Sequence, residues 1–256
     1  MMVLASLPGW ALLGAAGWFH LPRRRVQPEE EHGGEAARKR MVDEQLRSSW
    51  RGITNPRVLA AMGRVPRHEF IPLSDRNYAY EDGPLPIGHG QTISQPYIVA
   101  FMTEKLEPQP TDRILEIGTG SGYQAAILAE LVAKVYTMEI VEPLAQRAEA
   151  DLKRLGYTNV FCRLGDGYQG WPEAAPFDGI ILTCAPEQLP QPLTDQLKEG
   201  GNLILPVGVI GYQELVLYRK RHGRLERQDE MAVRFVPMTG EAQGAGAPER
   251  RGWFDV

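Results

Sequence analysis

Three acidic residues and a run of glycines offer the clearest chemistry in the chain. The stretch Glu116-Ile117-Gly118-Thr119-Gly120-Ser121-Gly122 follows an apolar run and precedes a helical pattern. Glycines in such a turn let the backbone approach a ligand closely and permit positive φ. Their spacing departs from the dinucleotide fingerprint G-x-G-x-x-G, because Tyr123 stands where the last glycine belongs and the third glycine is Gly122. A carboxylate at Glu116, close to the loop, opposes a pyrophosphate and suits a ligand bearing an ammonium or a sulfonium. Glu139 ends the next apolar run, 21 residues after Gly118, where an acid can accept hydrogen bonds from both hydroxyls of a ribose. The third acid, Asp166, lies between Gly165 and Gly167.

Other reactive residue types give weaker patterns. Ser94 carries a hydroxyl just before Pro96, but no His-Asp or His-Cys pair is spaced to activate it, as a nucleophilic serine would require. The five histidines, His20, His32, His68, His89 and His222, are scattered and none has H-E-x-x-H spacing, so no metal site is expected. His89, between two glycines, reads as a loop residue, and His68 as a capping or solvent-facing one. Cys162 and Cys184 are too few for a disulfide framework or a four-cysteine zinc site, and read as small apolar residues on buried strands. Asp178 reads as a residue that positions its strand.

The elements that must hold these groups alternate. Short helices are expected over Met41–Trp50 and Pro56–Met62, and loop or short strand over Glu81–Gln95. Strands are expected at Arg113–Ile117, Lys134–Glu139, Val160–Leu164, Phe177–Thr183, Asn202–Leu205, Glu214–Arg221 and Met231–Val236. Helices are expected at Tyr123–Leu131, Pro143–Leu155 with Gly156 as its cap, and Leu189–Lys198. This rhythm predicts an α/β fold: a doubly wound, mostly parallel sheet of about seven strands, helices on both faces and additional N-terminal helices.

With 256 residues, 28 basic and 32 acidic side chains, a net charge of −4 and a pI near 5.8, the chain has no basic excess to suggest a nucleic-acid partner. Residues 1–22 hold no Lys, Arg, Asp or Glu and precede Arg23-Arg24-Arg25. That order is the reverse of a secretory signal. It leaves three readings: a membrane anchor with the arginines and the rest of the chain on the cytoplasmic side, a true start at Met41, or a loose tail. Residues 26–40 read as a solvated linker leading into a helix. The expected organisation is therefore 1–40 as apolar segment and linker, 41–240 as the folded domain and 241–256 as a tail, in a cytoplasmic monomer.

The segment Leu85-Pro86-Ile87-Gly88-His89-Gly90-Gln91-Thr92-Ile93-Ser94-Gln95-Pro96-Tyr97 narrows the choice. Together with the glycine loop, Gly165-Asp166-Gly167, Pro176-Phe177-Asp178, Gly200–Gly208 and Val233–Met238, it resembles the protein-L-isoaspartate O-methyltransferases, a Rossmann-like class I family. The resemblance spans about residues 41–240, and the Gln-Thr-Ile-Ser-Gln-Pro stretch is its specific part. It implies S-adenosyl-L-methionine as cofactor, held by Thr92, Ile93, Glu116, Gly118, Gly120, Gly122, Glu139, Asp166 and Gly167, with Asp166 reaching the adenine amino group. It also implies Ser94 as the active-site residue, Gln91 and Gln95 beside it at the substrate, and proteins or peptides containing L-isoaspartate as partners. Thr239 matches a threonine that the family carries after the final Val-Pro. Animal members carry a histidine shortly after the proline, where this chain has Tyr97-Ile98-Val99, so that contact is not carried over. The residues alone leave open a methyltransferase for another acceptor and a non-catalytic binding protein, while Tyr123 opposes a nicotinamide oxidoreductase.

Overall fold

The computed structural model describes residues 28–48 and 52–243. Its apolar runs at Arg113–Ile117 and Phe177–Leu182 become strands buried on both faces, while Val160–Leu164, at the sheet edge, is half-exposed. In chain order the elements are α1 (Pro28–Arg40), α2 (Pro56–Arg64), β1 (Leu85–Gly88), β2 (Gln91–Ile93), α3 (Pro96–Leu106), β3 (Arg113–Ile117), α4 (Tyr123–Ala129), β4 (Lys134–Glu139), α5 (Glu142–Arg154), β5 (Val160–Leu164), β6 (Phe177–Leu182), α6 (Gln191–Gln196), β7 (Leu197–Val209), β8 (Tyr212–Arg221) and β9 (Arg224–Val233). The main sheet has the order β5-β4-β3-β6-β7-β8-β9. Its first five strands run parallel, and β8 and β9 return antiparallel.

Strand period two divides the core. Ile114, Val135, Ile181 and Ile204 face one cluster, which also takes in α2, α3 and α4. Leu115, Ile117, Ile180, Leu182 and Leu203 face the other, with Phe177 and Leu193. The chain leaves β3 in one direction, to β4 and β5, then crosses back to place β6 on the other side of β3. The gap beyond the carboxyl ends of β3 and β6 is therefore the switch point, where open α/β sheets bind ligands.

Four expectations are corrected. The helix expected from Met41 begins at Pro28, so the linker expected over 26–40 is largely helical. Its charged residues hide the pattern, yet Ala37 packs on the core and the Arg38 guanidinium donates to the Gly63 carbonyl at 2.7 Å. The chain then tightens into a π-helical turn, Met41–Leu46, burying Met41, Val42 and Leu46. Helix α3 has no counterpart in the sequence reading: Pro96 starts it, and burial of Pro96, Val99, Ala100, Met102, Thr103 and Leu106 leaves no polar stripe to mark its period. Strand β9 starts at Arg224 rather than Met231 because it is the exposed edge, and its charged side chains replace the expected alternation. Finally, Gly240–Gln243 forms a 3-10 turn instead of opening the tail.

Smaller expectations resolve locally. Glu81–Gln95 contains the β1–β2 hairpin, with His89 at φ 55° in its turn. His68 neither caps nor faces solvent, because its Nδ1 lies 2.7 Å from the Tyr80 hydroxyl. Asp178 holds its strand by accepting the Arg113 N–H at 2.9 Å and pairing with Lys198 at 2.6 Å. Among the described residues no helix is long and apolar enough to cross a membrane. The apolar segment 1–22 lies outside the described residues.

Candidate active site

A cleft opens at the switch point, walled by residues 91–94, the loop after β3, the end of β4 and residues 236–239. Strand β3 aims Glu116 at it. Glu116 stands opposite Thr137 of β4 and is fully buried. The Thr137 hydroxyl donates to Glu116 Oε2 at 2.6 Å and accepts from the Thr119 hydroxyl at 2.6 Å. The other oxygen, Oε1, is buried without a partner. Burial pushes the Glu116 carboxyl up to about 8, a rise opposed by the Thr137 hydrogen bond and aided by the charge of Glu139.

The loop is fixed by its backbone. The N–H groups of Gly118 and Thr119 both donate to the Met138 carbonyl, at 2.8 and 3.1 Å. Gly118 has φ +94°, and a Cβ there would lie 2.6 Å from Thr183 Oγ1, so both conformation and space demand glycine. Glu139 accepts the Gly120 N–H at 2.7 Å on one oxygen and the Val141 N–H at 2.9 Å on the other. Each carboxylate oxygen keeps a further lone pair for a ligand hydroxyl. Across the cleft a Cβ on Gly167 would lie 2.3 Å from the Ile117 side chain.

Nine of the twelve expected site residues line this cleft: Gln91, Thr92, Ile93, Ser94, Glu116, Gly118, Gly120, Glu139 and Gly167. Gly122 instead caps α4 with φ 87°. Gln95 lines an adjoining cleft and donates to the Asp82 carbonyl at 3.2 Å. Asp166 lies outside the lining, and its oxygens accept the N–H groups of Tyr168 at 2.9 Å and Glu241 at 2.7 Å. Thr183 and Cys184 line the cleft although the sequence marks Thr183 only as a strand end and Cys184 only as core. Their signal is position: they follow β6, the strand across the switch point. Burial pushes the Cys184 thiol up to about 12, so it stays neutral. Thr239 lines the cleft as well.

An unpartnered carboxyl oxygen that a cation would ionise, glycines at 118 and 167 with no space for a Cβ, a carboxylate with spare lone pairs and the half-exposed apolar Ile140 fit a cation-bearing nucleoside. That ligand is the methyl donor of the class I S-adenosylmethionine-dependent methyltransferases, the class to which fold and cleft assign the chain. Comparison with known proteins narrows the class. Residues 37–243 match the family model of protein-L-isoaspartate(D-aspartate) O-methyltransferase, and the chain belongs to that family.

A protein-L-isoaspartate O-methyltransferase of Opitutus terrae is 54% identical over 238 residues, covering 93% of this chain and 98% of the relative. One of Gloeobacter violaceus is 57% identical over 202 residues, covering 78% and 98%. Among solved structures, a protein-L-isoaspartate O-methyltransferase superposes with a TM-score of 0.70 at 30% identity, over 79% of this chain and 66% of that one. A Plasmodium falciparum protein assigned to the same type, in complex with S-adenosyl-L-homocysteine, superposes with a TM-score of 0.69 at 26% identity, over 80% and 98%.

Proposed function

We propose that Ser94 holds the acceptor carboxylate for methyl transfer to L-isoaspartyl residues of damaged proteins and peptides, the reaction of an S-adenosylmethionine-dependent protein-L-isoaspartate O-methyltransferase. The observation that carries the assignment is the place of Ser94. It lines the cofactor cleft and also a second cleft bounded by Pro84, Gln95, Ile98 and residues 232–236. Thr92, Thr183 and Val236 share that wall. A polypeptide in the second cleft therefore meets the first at Ser94.

When bound, S-adenosylmethionine supplies a methyl group already activated by its sulfonium. The chain supplies position. Glu116 and Glu139 hold the positive and ribose ends of the cofactor, with Gly118, Gly120 and Gly167 giving room. Thr92 and Ile93 close the cleft on the β2 side, and Gly122 and Asp166 act from behind by fixing α4 and the turn after β5. An isoaspartyl α-carboxyl, with a pKa of about 4, is ionised at neutral pH and needs no general base. Ser94 has no hydrogen bond to a base among the described residues, which suits a donor to the carboxylate rather than a nucleophile. Gln91 and Gln95 flank the acceptor. Alignment of this kind can supply about 7 to 11 kcal/mol of the barrier. The following backbone nitrogen then attacks the ester carbonyl and expels methanol to close a succinimide, whose hydrolysis partly restores aspartate.

Paired peptides test this reading. An isoaspartyl peptide should accept methyl groups from labelled cofactor, while its aspartyl twin should not. Equal labelling of both would remove the role given to Ser94 and its neighbours. We also read the enzyme as a cytoplasmic monomer, and mass spectrometry of the native N-terminus decides whether residues 1–40 are present in the cell.

A further inference from the structure

The second cleft carries a charge that methyl transfer does not use. Arg234 lines it together with Ser94, Gln95 and Thr183. Its side chain is exposed, and no described residue holds it by a hydrogen bond or ion pair. Its backbone is fixed. The Gln213 side chain, 4% exposed, accepts the Phe235 N–H at 2.6 Å and donates to the Phe235 carbonyl at 3.1 Å. Beyond it, Ala185 donates to the Val236 carbonyl and accepts the Met238 N–H, each at 2.8 Å. Phe235 is buried while its neighbour Arg234 stays exposed. The braced segment just after β9 thus presents a free guanidinium on the wall shared with Ser94.

We propose that Arg234 is a specificity-determining residue that favours isoaspartyl substrates with an acidic side chain flanking the damaged residue. Arg234 does not line the cofactor cleft, so its partner is a neighbour of the reacting carboxylate rather than that carboxylate. A guanidinium clamped on the reacting oxygen would also withdraw the electron density needed to attack. The proposal rests on the second cleft being the acceptor site, as argued above.

The test uses matched isoaspartyl hexapeptides with Glu, Gln or Lys next to the isoaspartyl residue, on the wild-type chain and on Arg234→Gln and Arg234→Glu. The readout is the ratio of kcat/KM for the Glu peptide to that for the Gln peptide, which is independent of how much of each variant is folded. An exposed ion pair predicts a ratio of about two to five at low ionic strength in the wild type, shrinking as salt shortens the screening length to about 8 Å at 0.15 M. The difference should lie in KM. Arg234→Gln should bring the ratio to about one, and Arg234→Glu should turn the preference toward the Lys peptide. A wild-type ratio of one, a ratio unchanged in Arg234→Gln, or a preference residing in kcat would overturn the proposal. If no isoaspartyl peptide is methylated, the reading of the site fails, and this proposal with it.

Discussion

If Glu116 holds the cationic end of the cofactor as proposed, it should tie cofactor binding to the pH dependence of the fold, and Glu116→Gln isolates the effect. The carboxyl is fully buried with one oxygen unpartnered, and burial lifts it to about 8. In the unfolded chain a glutamic acid ionises near 4.3. Between those values the native state keeps a proton that the unfolded state has lost, so native stability falls as pH rises, by about 1.36 kcal/mol per pH unit. From pH 5.5 to 7.5 the ligand-free enzyme should lose about 3 kcal/mol through this group alone, with the slope levelling off above about 8. Glutamine cannot ionise, so Glu116→Gln should gain on the wild type by that amount across the same range. For a domain of this size the gain is about 6 to 12 °C in Tm. The assay is thermal unfolding of both proteins from pH 5.5 to 8.5. His68, held below its ordinary value by burial, titrates in both proteins and cancels in the difference. A second readout is calorimetry at pH 7 in two buffers of different ionisation enthalpy. Binding of the cationic cofactor should release close to one proton from the wild type and none from Glu116→Gln. A stability gap that stays constant to within about 0.5 kcal/mol, or equal proton release by both proteins, would refute the reasoning.

Other perturbations separate the parts of the site. Ser94→Ala should lower kcat/KM for an isoaspartyl peptide by about ten- to a hundredfold, the worth of a hydrogen bond to a charged group. Cofactor affinity by calorimetry should move little, and equal loss of both would contradict the role given to Ser94. Gly167→Ala sets a methyl group 2.3 Å from the Ile117 side chain and should cost about 1 to 3 kcal/mol in urea unfolding, as overpacking does. Unchanged unfolding in that variant would mean that the turn yields freely. Gln213→Leu strips both polar groups of Phe235 of their partner and should cost about 2 to 5 kcal/mol of stability. It should also raise KM for peptides, since residues 232–236 line the second cleft.

Much of the site was legible because it depends on backbone conformation and strand ends, which leave strong marks in sequence. The glycine loop follows β3 because only glycine fits beside Thr183, and Glu139 ends β4 because strand register puts it next to the loop. Residues that act by fixing other residues left no such mark. Asp166 takes its expected cofactor role from the family resemblance, and its carboxylate also ties the turn after β5 to the Gly240–Gln243 turn, a contact no local pattern marks. Thr183 directly follows β6 and Gln213 lies on β8, and their roles appear only once β6 and β8 are placed against β3 and the segment after β9. Helix α3 was missed for the opposite reason, since burial around most of its circumference erases the periodicity that would reveal it. The chain encodes where a ligand can approach through local rules, and how the polypeptide wall beside it is braced through contacts far apart in sequence. Differences in substrate preference among proteins with the same glycine loop are therefore expected to lie in that braced wall, at positions such as Arg234, rather than in the cofactor loop.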